Sequence, residues 1–286
     1  MAMIINQLTT WYTYIFHDLV DPRTKDLPLI STPWFGLALI GLYLYFIFSF
    51  GPKFMKKRQP FKLDRILQIY NILQIMISLF IFAEAVRIWF FTHYSFICQP
   101  VDYSNTPEAI RITRDVWLYF MNKLFDLLDT VFFVLKKKQN QMSFLHIYHH
   151  VGIVICAWFT VKYLPGGHGT FLGLVNTFVH AIMYLYYLLS SMKININYWK
   201  KYITQMQIIQ FFIIAVHFAK LLWVDCGYPQ WTAFVMIPQN IFMIVLFSDF
   251  YYKIYIKKKP IKKVIPTKSD VNDITADIVN KKSKDQ

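Results

Sequence analysis

Seven stretches of predominantly apolar residues recur along the 286-residue chain, at roughly 32–50, 66–90, 114–135, 144–163, 169–190, 204–224 and 230–252. A bilayer's hydrocarbon core takes ~20 apolar residues of helix to cross. The pattern therefore predicts an all-α polytopic membrane protein of seven transmembrane helices, the third and sixth having the weakest hydropathy. The connecting segments alternate in charge. "GPKFMKKRQPFK", "KKKQNQ" and "KININYWKKY" are basic, whereas "THYSFICQPVDYSNTPE", "LPGGHG" and "VDCGYPQ" carry no Lys or Arg. Basic loops stay in the cytoplasm, so the odd-numbered loops and the C-terminus are expected there and the N-terminus in the lumen.

Composition agrees with a membrane protein: 56% hydrophobic, 19% aromatic and 16% charged residues, with a mean hydropathy of +0.36. Soluble domains carry about 25% charged residues. The net charge of +14 would suggest nucleic acid on a soluble protein. Here the basic residues sit between apolar runs, as in cytoplasmic loops, and no nucleic-acid partner is expected. "MAMIINQLTTWYTYIF" has neither the basic start nor the small-residue site of a cleaved signal peptide. A membrane domain over 1–264 is expected, followed by a polar, Lys-rich and disordered tail over 265–286. Within "KSKDQ", Lys282 and Lys284 match a dilysine-type retrieval signal for the endoplasmic reticulum. Of three cysteines, Cys156 falls in an apolar run; Cys98 and Cys226 fall in loops assigned to the lumen, where they can pair.

Polar residues inside the spans mark candidate chemistry, because charge in lipid costs ~2.5–3.5 kcal/mol per group even on the lenient insertion scale. In "KLFDLLDT", Lys123, Asp126 and Asp129 follow i, i+3, i+6 and share one face that must point into the bundle. In "FLHIYHH", His146, His149 and His150 fall within an arc of about 100° at ~100° per residue. On the fifth span Asn176, His180, Tyr184 and Tyr187 share a face, with His180 near mid-membrane. On the sixth, Thr204, Gln207 and Gln210 do so. His217 is expected to be structural, and His17, His93 and His168 to be unrelated to the cluster.

Two chemistries compete for the HxxHH box. Membrane di-iron desaturases and hydroxylases carry such a box, but they need many nitrogen ligands. Of eight histidines here, four converge: His146, His149, His150 and His180. That suffices for one zinc or iron and falls short of a di-iron shell. Imidazole can instead attack an activated acyl group or move a proton near neutral pH, oriented by the neighbouring charged face. The substrate is then long and apolar, with an anionic head in the cytoplasm. A seven-helix receptor or carrier has no use for such a box beside three intramembrane charges.

The chain resembles the ELO-type very-long-chain fatty acid elongases. The resemblance rests on "DPR" at 21–23, "GPK" at 51–53, "KLFDLLDTVFFVLKKK" at 123–138, "FLHIYHH" at 144–150, "HAIMYLYY" at 180–187 and "TQMQIIQF" at 204–211. One departure stands out: Asp126 occupies a position where the family pattern has Glu. The resemblance implies condensation of an acyl-CoA with malonyl-CoA to 3-oxoacyl-CoA, CO2 and CoA, the first step of the microsomal elongation cycle. It implies a tunnel closed at the luminal end, residence in the endoplasmic reticulum membrane and no cofactor. His149 would take the acyl group and His180 would be the second reactive-site histidine. His146 and His150 would orient the pair or bind the thioester and malonyl groups, supported by Lys123, Asp126 and Asp129. Asn176, Tyr184, Tyr187, Thr204, Gln207 and Gln210 would line the substrate site. Expected partners are the cycle's ketoacyl reductase, dehydratase and enoyl reductase, and a second copy of the chain, since family members often form dimers. The box is closest to that of the subgroup acting on very long chains. A metal-dependent lipid desaturase or hydroxylase is the alternative reading.

Overall fold

A computed structural model describes residues 2–257. The expected boundary at 264 and the tail 265–286, with Lys282 and Lys284, lie outside the described residues. Every regular element among those residues is helical: α1 Ala2–Thr13, α2 Pro33–Tyr45, α3 Gly51–Met55, α4 Asp64–Phe91, α5 Pro107–Asp126, α6 Leu128–Leu135, α7 Phe144–Tyr163, α8 Thr170–Ser191, α9 Trp199–Ala219 and α10 Trp231–Tyr251. The compact unit ends at Tyr251; the segment Tyr252–Ile256 that follows is a short π-helical stretch.

Six helical runs are long and apolar enough to cross a membrane: Pro33–Met55, Asp64–Phe91, Phe144–Tyr163, Gly167–Ser191, Trp199–Leu222 and Trp231–Ile256. The chain is a multi-pass membrane protein. The segment expected as a span at 114–135 is observed as two helices, α5 and α6. Thr106 caps Ala109 N–H and Pro107 occupies the first turn, so α5 starts earlier than the apolar pattern does. The helix then breaks at Leu127, whose N–H reaches back to Leu124 O at 3.2 Å, and resumes as α6. With Glu108, Arg111, Arg114 and Asp115 on α5 as well as the internal charges, this segment is not among the six.

Proline and glycine set the remaining irregularities. Pro52 has no N–H to donate, and the helix ahead of it loosens into a π turn over Phe46–Phe50. A side chain at Gly51 would stand 2.7 Å from Val134 Cγ1, so glycine is what lets α3 lie against α6.

The loops sort to two ends. The disulfide between Cys98 and Cys226 joins the α4–α5 and α9–α10 loops. His168 N–H donates to Gln99 O at 2.8 Å, and Gly167 N–H to the Tyr94 hydroxyl, which brings in the α7–α8 loop. The N-terminal loop is tied to the same end: Arg23 is paired with Asp21 and donates to Ser104 O, and the buried Lys162 ammonium donates to Ile30 O and Ser31 O. At the opposite end Phe61 N–H donates to Leu135 O, and Lys136 pairs with Asp64 at 2.8 Å. The three loops without Lys or Arg therefore gather at one end, and two of the basic loops meet at the other.

Candidate active site

α5 and α8 carry the centre of the site. Lys123 and Asp126, one helical turn apart, are fully buried, and Lys123 Nζ donates to Asp126 Oδ2 at 2.8 Å. His180 Nδ1, on α8, lies 3.4 Å from that ammonium and 3.5 Å from the same carboxylate oxygen. Lys⁺ has no acceptor. Toward Lys123 the Nδ1 atom can only accept, which puts a neutral ring's proton on Nε2; toward the Asp126 carboxylate it can only donate.

Tyr184, one turn beyond His180 and fully buried, places its hydroxyl 2.9 Å from Asp126 Oδ1 and 2.8 Å from Asp129 Oδ2. A phenol has one proton to donate, so it serves one carboxylate at a time. Asp126 also accepts from Gln74 Nε2 at 2.6 Å. The same amide reaches the Tyr70 and Tyr184 hydroxyls at 3.1 and 3.2 Å. The shorter carboxylate at position 126 is thus met by Lys123, Gln74 and Tyr184.

The histidine box opens α7. Ser143 caps the helix by accepting from His146 N–H, which sets the first turn and hence the direction of the three rings. His146 Nε2 lies 2.8 Å from Thr130 Oγ1, which accepts from the Tyr43 hydroxyl, also at 2.8 Å. With Tyr43 donating to it, Thr130 has its own proton to give. Where Thr130 gives that proton to His146, Nε2 accepts; where its second lone pair is used instead, Nε2 donates. The rings of His146 and His150 lie 4.3 Å apart; His150 is buried and its Nδ1 has no hydrogen-bond partner. Among the described residues the His149 ring makes edge contacts with His150 and Phe211.

His149 faces a cavity of about 940 Å³ whose lining follows α7 from Phe144 to Thr160, some ~24 Å of helix at 1.5 Å per residue. Most of the wall is aliphatic or aromatic. Its polar points include Asn176, Gln210, Tyr119 and Asp115. The Tyr119 hydroxyl donates to Asn176 Oδ1 at 3.0 Å, leaving the amide N–H groups for a guest. Gln210 is buried with Oε1 unpartnered.

Of the remaining expected residues, Thr204 donates its hydroxyl to Lys200 O, Gln207 contacts Met183 Sδ, and neither lines the cavity. Tyr187 is also outside the lining; it is 36% exposed, its ring meeting Tyr184 and Tyr186. His168 and His217 stack at 3.8 Å and each contacts the other's backbone carbonyl, a clip well along the chain from the box. Cys156 is a free thiol in the cavity wall.

Sequence reading missed Tyr43, Tyr70, Gln74, Tyr119 and Thr130. For Tyr70, Gln74 and Ser78 the signal was present: they repeat at i, i+4, i+8 through an apolar run and all are buried. Among the described residues no group of three or more His, Cys, Asp or Glu side chains is arranged to hold a metal ion.

Residues 28–263 match the family described as ELO: GNS1/SUR4. The chain is 40% identical to human very long chain fatty acid elongase 4 over 99% of its own length and 90% of that protein. It is 42% identical to a very long chain fatty acid elongase of Aedes aegypti, over 89% of this chain and 72% of the relative. Rat very long chain fatty acid elongase 7 is 39% identical over 86% and 89%.

Proposed function

The chain belongs to the ELO: GNS1/SUR4 family, and from that premise we propose that this fatty acid elongase condenses a long- or very-long-chain acyl-CoA with malonyl-CoA through a histidine acyl-enzyme. The single observation that carries the reading is His149 at the wall of the 940 Å³ apolar cavity, on the helix packed against the buried Lys123–Asp126–His180 cluster.

The steps follow from the residue chemistry. An imidazole nitrogen of His149 attacks the thioester carbonyl; the C–S bond breaks and CoA leaves as thiol once protonated. The product is an acyl-imidazole with its chain in the cavity. Malonyl-CoA then loses CO2, and the electron pair of the broken C–C bond becomes an enolate. The enolate attacks the acyl carbon, a C–C bond forms, and the C–N bond to His149 breaks to return the imidazole. With Nδ1 accepting from Lys123, Nε2–H of His180 is the donor to the developing oxyanion, and the amide of Asn176 is a second. Lys123 and Asp126 hold His180, while Thr130 holds His146. No step calls for a cofactor.

The same reading covers topology and location. We infer seven crossings, with the α5–α6 segment as the third, the N-terminus in the lumen and the C-terminus in the cytoplasm. Support comes from the gathering of the Lys- and Arg-free loops at the disulfide-bonded end, since disulfides persist in an oxidising lumen. The endoplasmic reticulum, the other enzymes of the cycle and a homodimer complete the proposal.

Expression in cells lacking their own elongase tests it. New fatty acids extended by two carbons, absent with His149→Ala and His180→Ala, are the expected result. A full product profile from both variants would overturn it.

A further inference from the structure

The cavity wall is formed in part by residues of α7 and α10 that keep substantial accessible surface. On α7 the lining includes Tyr148, Gly152, Ile155 and Phe159; on α10 it includes Trp231, Val235 and Gln239. Each set repeats at three- or four-residue intervals, so each is one stripe of its helix, and the stripes run antiparallel. They are tied at two places. Near one end the Tyr148 hydroxyl donates to Gln239 Oε1 at 2.6 Å and its ring meets Phe242. Near the other, the Phe159 and Trp231 rings meet edge to face at 5.6 Å.

Between the ties the seam is thin. A side-chain carbon built on Gly152 would meet no atom within 4 Å, although Gly152 lines the cavity. Ile155 is 50% exposed and Val235 55% exposed while both line the same cavity. The tied positions on α7 are eleven residues apart, about 16 Å. Neither helix is reinforced here. Gly152 adds no side chain to α7, and Pro238 sits inside α10 next to the Gln239 tie, where it has no N–H to give the helix.

We propose that this seam is a lateral portal through which a long acyl chain passes directly between the bilayer and the cavity. The occupant follows from position. Gly152 is one helical turn from His149 on α7, so whatever enters by the seam arrives at that imidazole, and the lining is apolar on both sides. The proposal rests on the acyl-transfer reading of His149. It means that the chain does not have to thread tail-first from the polar end.

The test is full-length protein in phosphatidylcholine vesicles carrying Ile155→Cys and Val235→Cys in a Cys156→Ser background. A short reducible bifunctional thiol reagent closes the seam, and the same sample after reduction is its own reference. With the seam linked, acyl-enzyme formation from a long-chain acyl-CoA should slow at least tenfold and recover on reduction. Protein loaded with acyl chain before linking should still complete one condensation with malonyl-CoA at the reference rate. Equal loading rates in linked and reduced protein would overturn the portal while leaving the elongase reading intact. So would efficient linking between two copies through Ile155→Cys alone, which would mean that a second copy covers the seam. Should the linked pair fail to fold, Gly152→Leu takes its place, with the ratio of loading rates for long and short acyl chains as the readout: a selective loss for long chains supports the portal, an unchanged ratio overturns it. If unmodified protein forms no 3-oxoacyl product, the elongase reading fails first.

Discussion

Lys123 Nζ and Asp126 Oδ2 form an ion pair at 2.8 Å with both side chains buried. Removing one partner of such a pair strands a charge and costs ~3–5 kcal/mol, whereas replacing both with apolar groups of similar size is often neutral. Lys123→Met and Asp126→Leu should each lower the unfolding temperature in detergent markedly, and the double variant should recover most of the loss. Elongation should stay abolished in all three. Recovery of activity in the double variant would reduce the pair to a packing device.

Asp126→Glu keeps the acid but adds a methylene to a carboxylate already met at 2.6–2.9 Å by Gln74, Lys123 and Tyr184. Overpacking of this kind costs ~1–3 kcal/mol. A lower unfolding temperature with part of the activity kept is expected, read by thermal unfolding and initial rates on one preparation.

Thr130 links Tyr43 to His146 by two hydrogen bonds of 2.8 Å. Thr130→Val keeps the shape and removes the hydroxyl, so the elongation rate should fall roughly tenfold, the equivalent of ~1.4 kcal/mol for a lost hydrogen bond. Thr130→Ser should retain most of the rate. Equal rates for Val and Ser would show that the hydroxyl does nothing for His146.

Much of this arrangement was legible in the sequence, because charge and imidazole stand out against an apolar span. The box, the Lys123–Asp126–Asp129 face and His180 could be picked from spacing alone. Gln74 and Tyr70 could not be assigned a task, since Asp126 and Tyr184, which they meet, lie on other helices. Helical phase tells which way the Tyr187 side chain points, and not whether another helix stands opposite. The helix at 114–135 starts earlier than its apolar pattern for a local reason, the Thr106–Pro107 cap, which extends α5 beyond its apolar stretch.

The disulfide between Cys98 and Cys226 spans 128 residues of sequence and ties two loops at one end of the bundle. Cys98→Ser should destabilise the protein by ~2–5 kcal/mol, read as a lower unfolding temperature. At temperatures where the protein stays folded, elongation should proceed, since neither cysteine lines the cavity.

At Gly167 the backbone has φ +64°, and an added side-chain carbon would lie 2.9 Å from Gln99 O and from Pro100. Gly167→Ala should cost ~1–3 kcal/mol from backbone strain, seen as reduced thermal stability. An unchanged unfolding temperature would mean that the α7–α8 loop shifts freely.

The central claim is that His149 carries the acyl group. Purified protein given long-chain acyl-CoA without malonyl-CoA, then digested and sequenced by tandem mass spectrometry, tests it most directly. An acyl adduct on the His149 imidazole, lost on adding malonyl-CoA as 3-oxoacyl-CoA appears, is the predicted result. Elongating protein with no adduct, or with its adduct on another residue, would contradict the account.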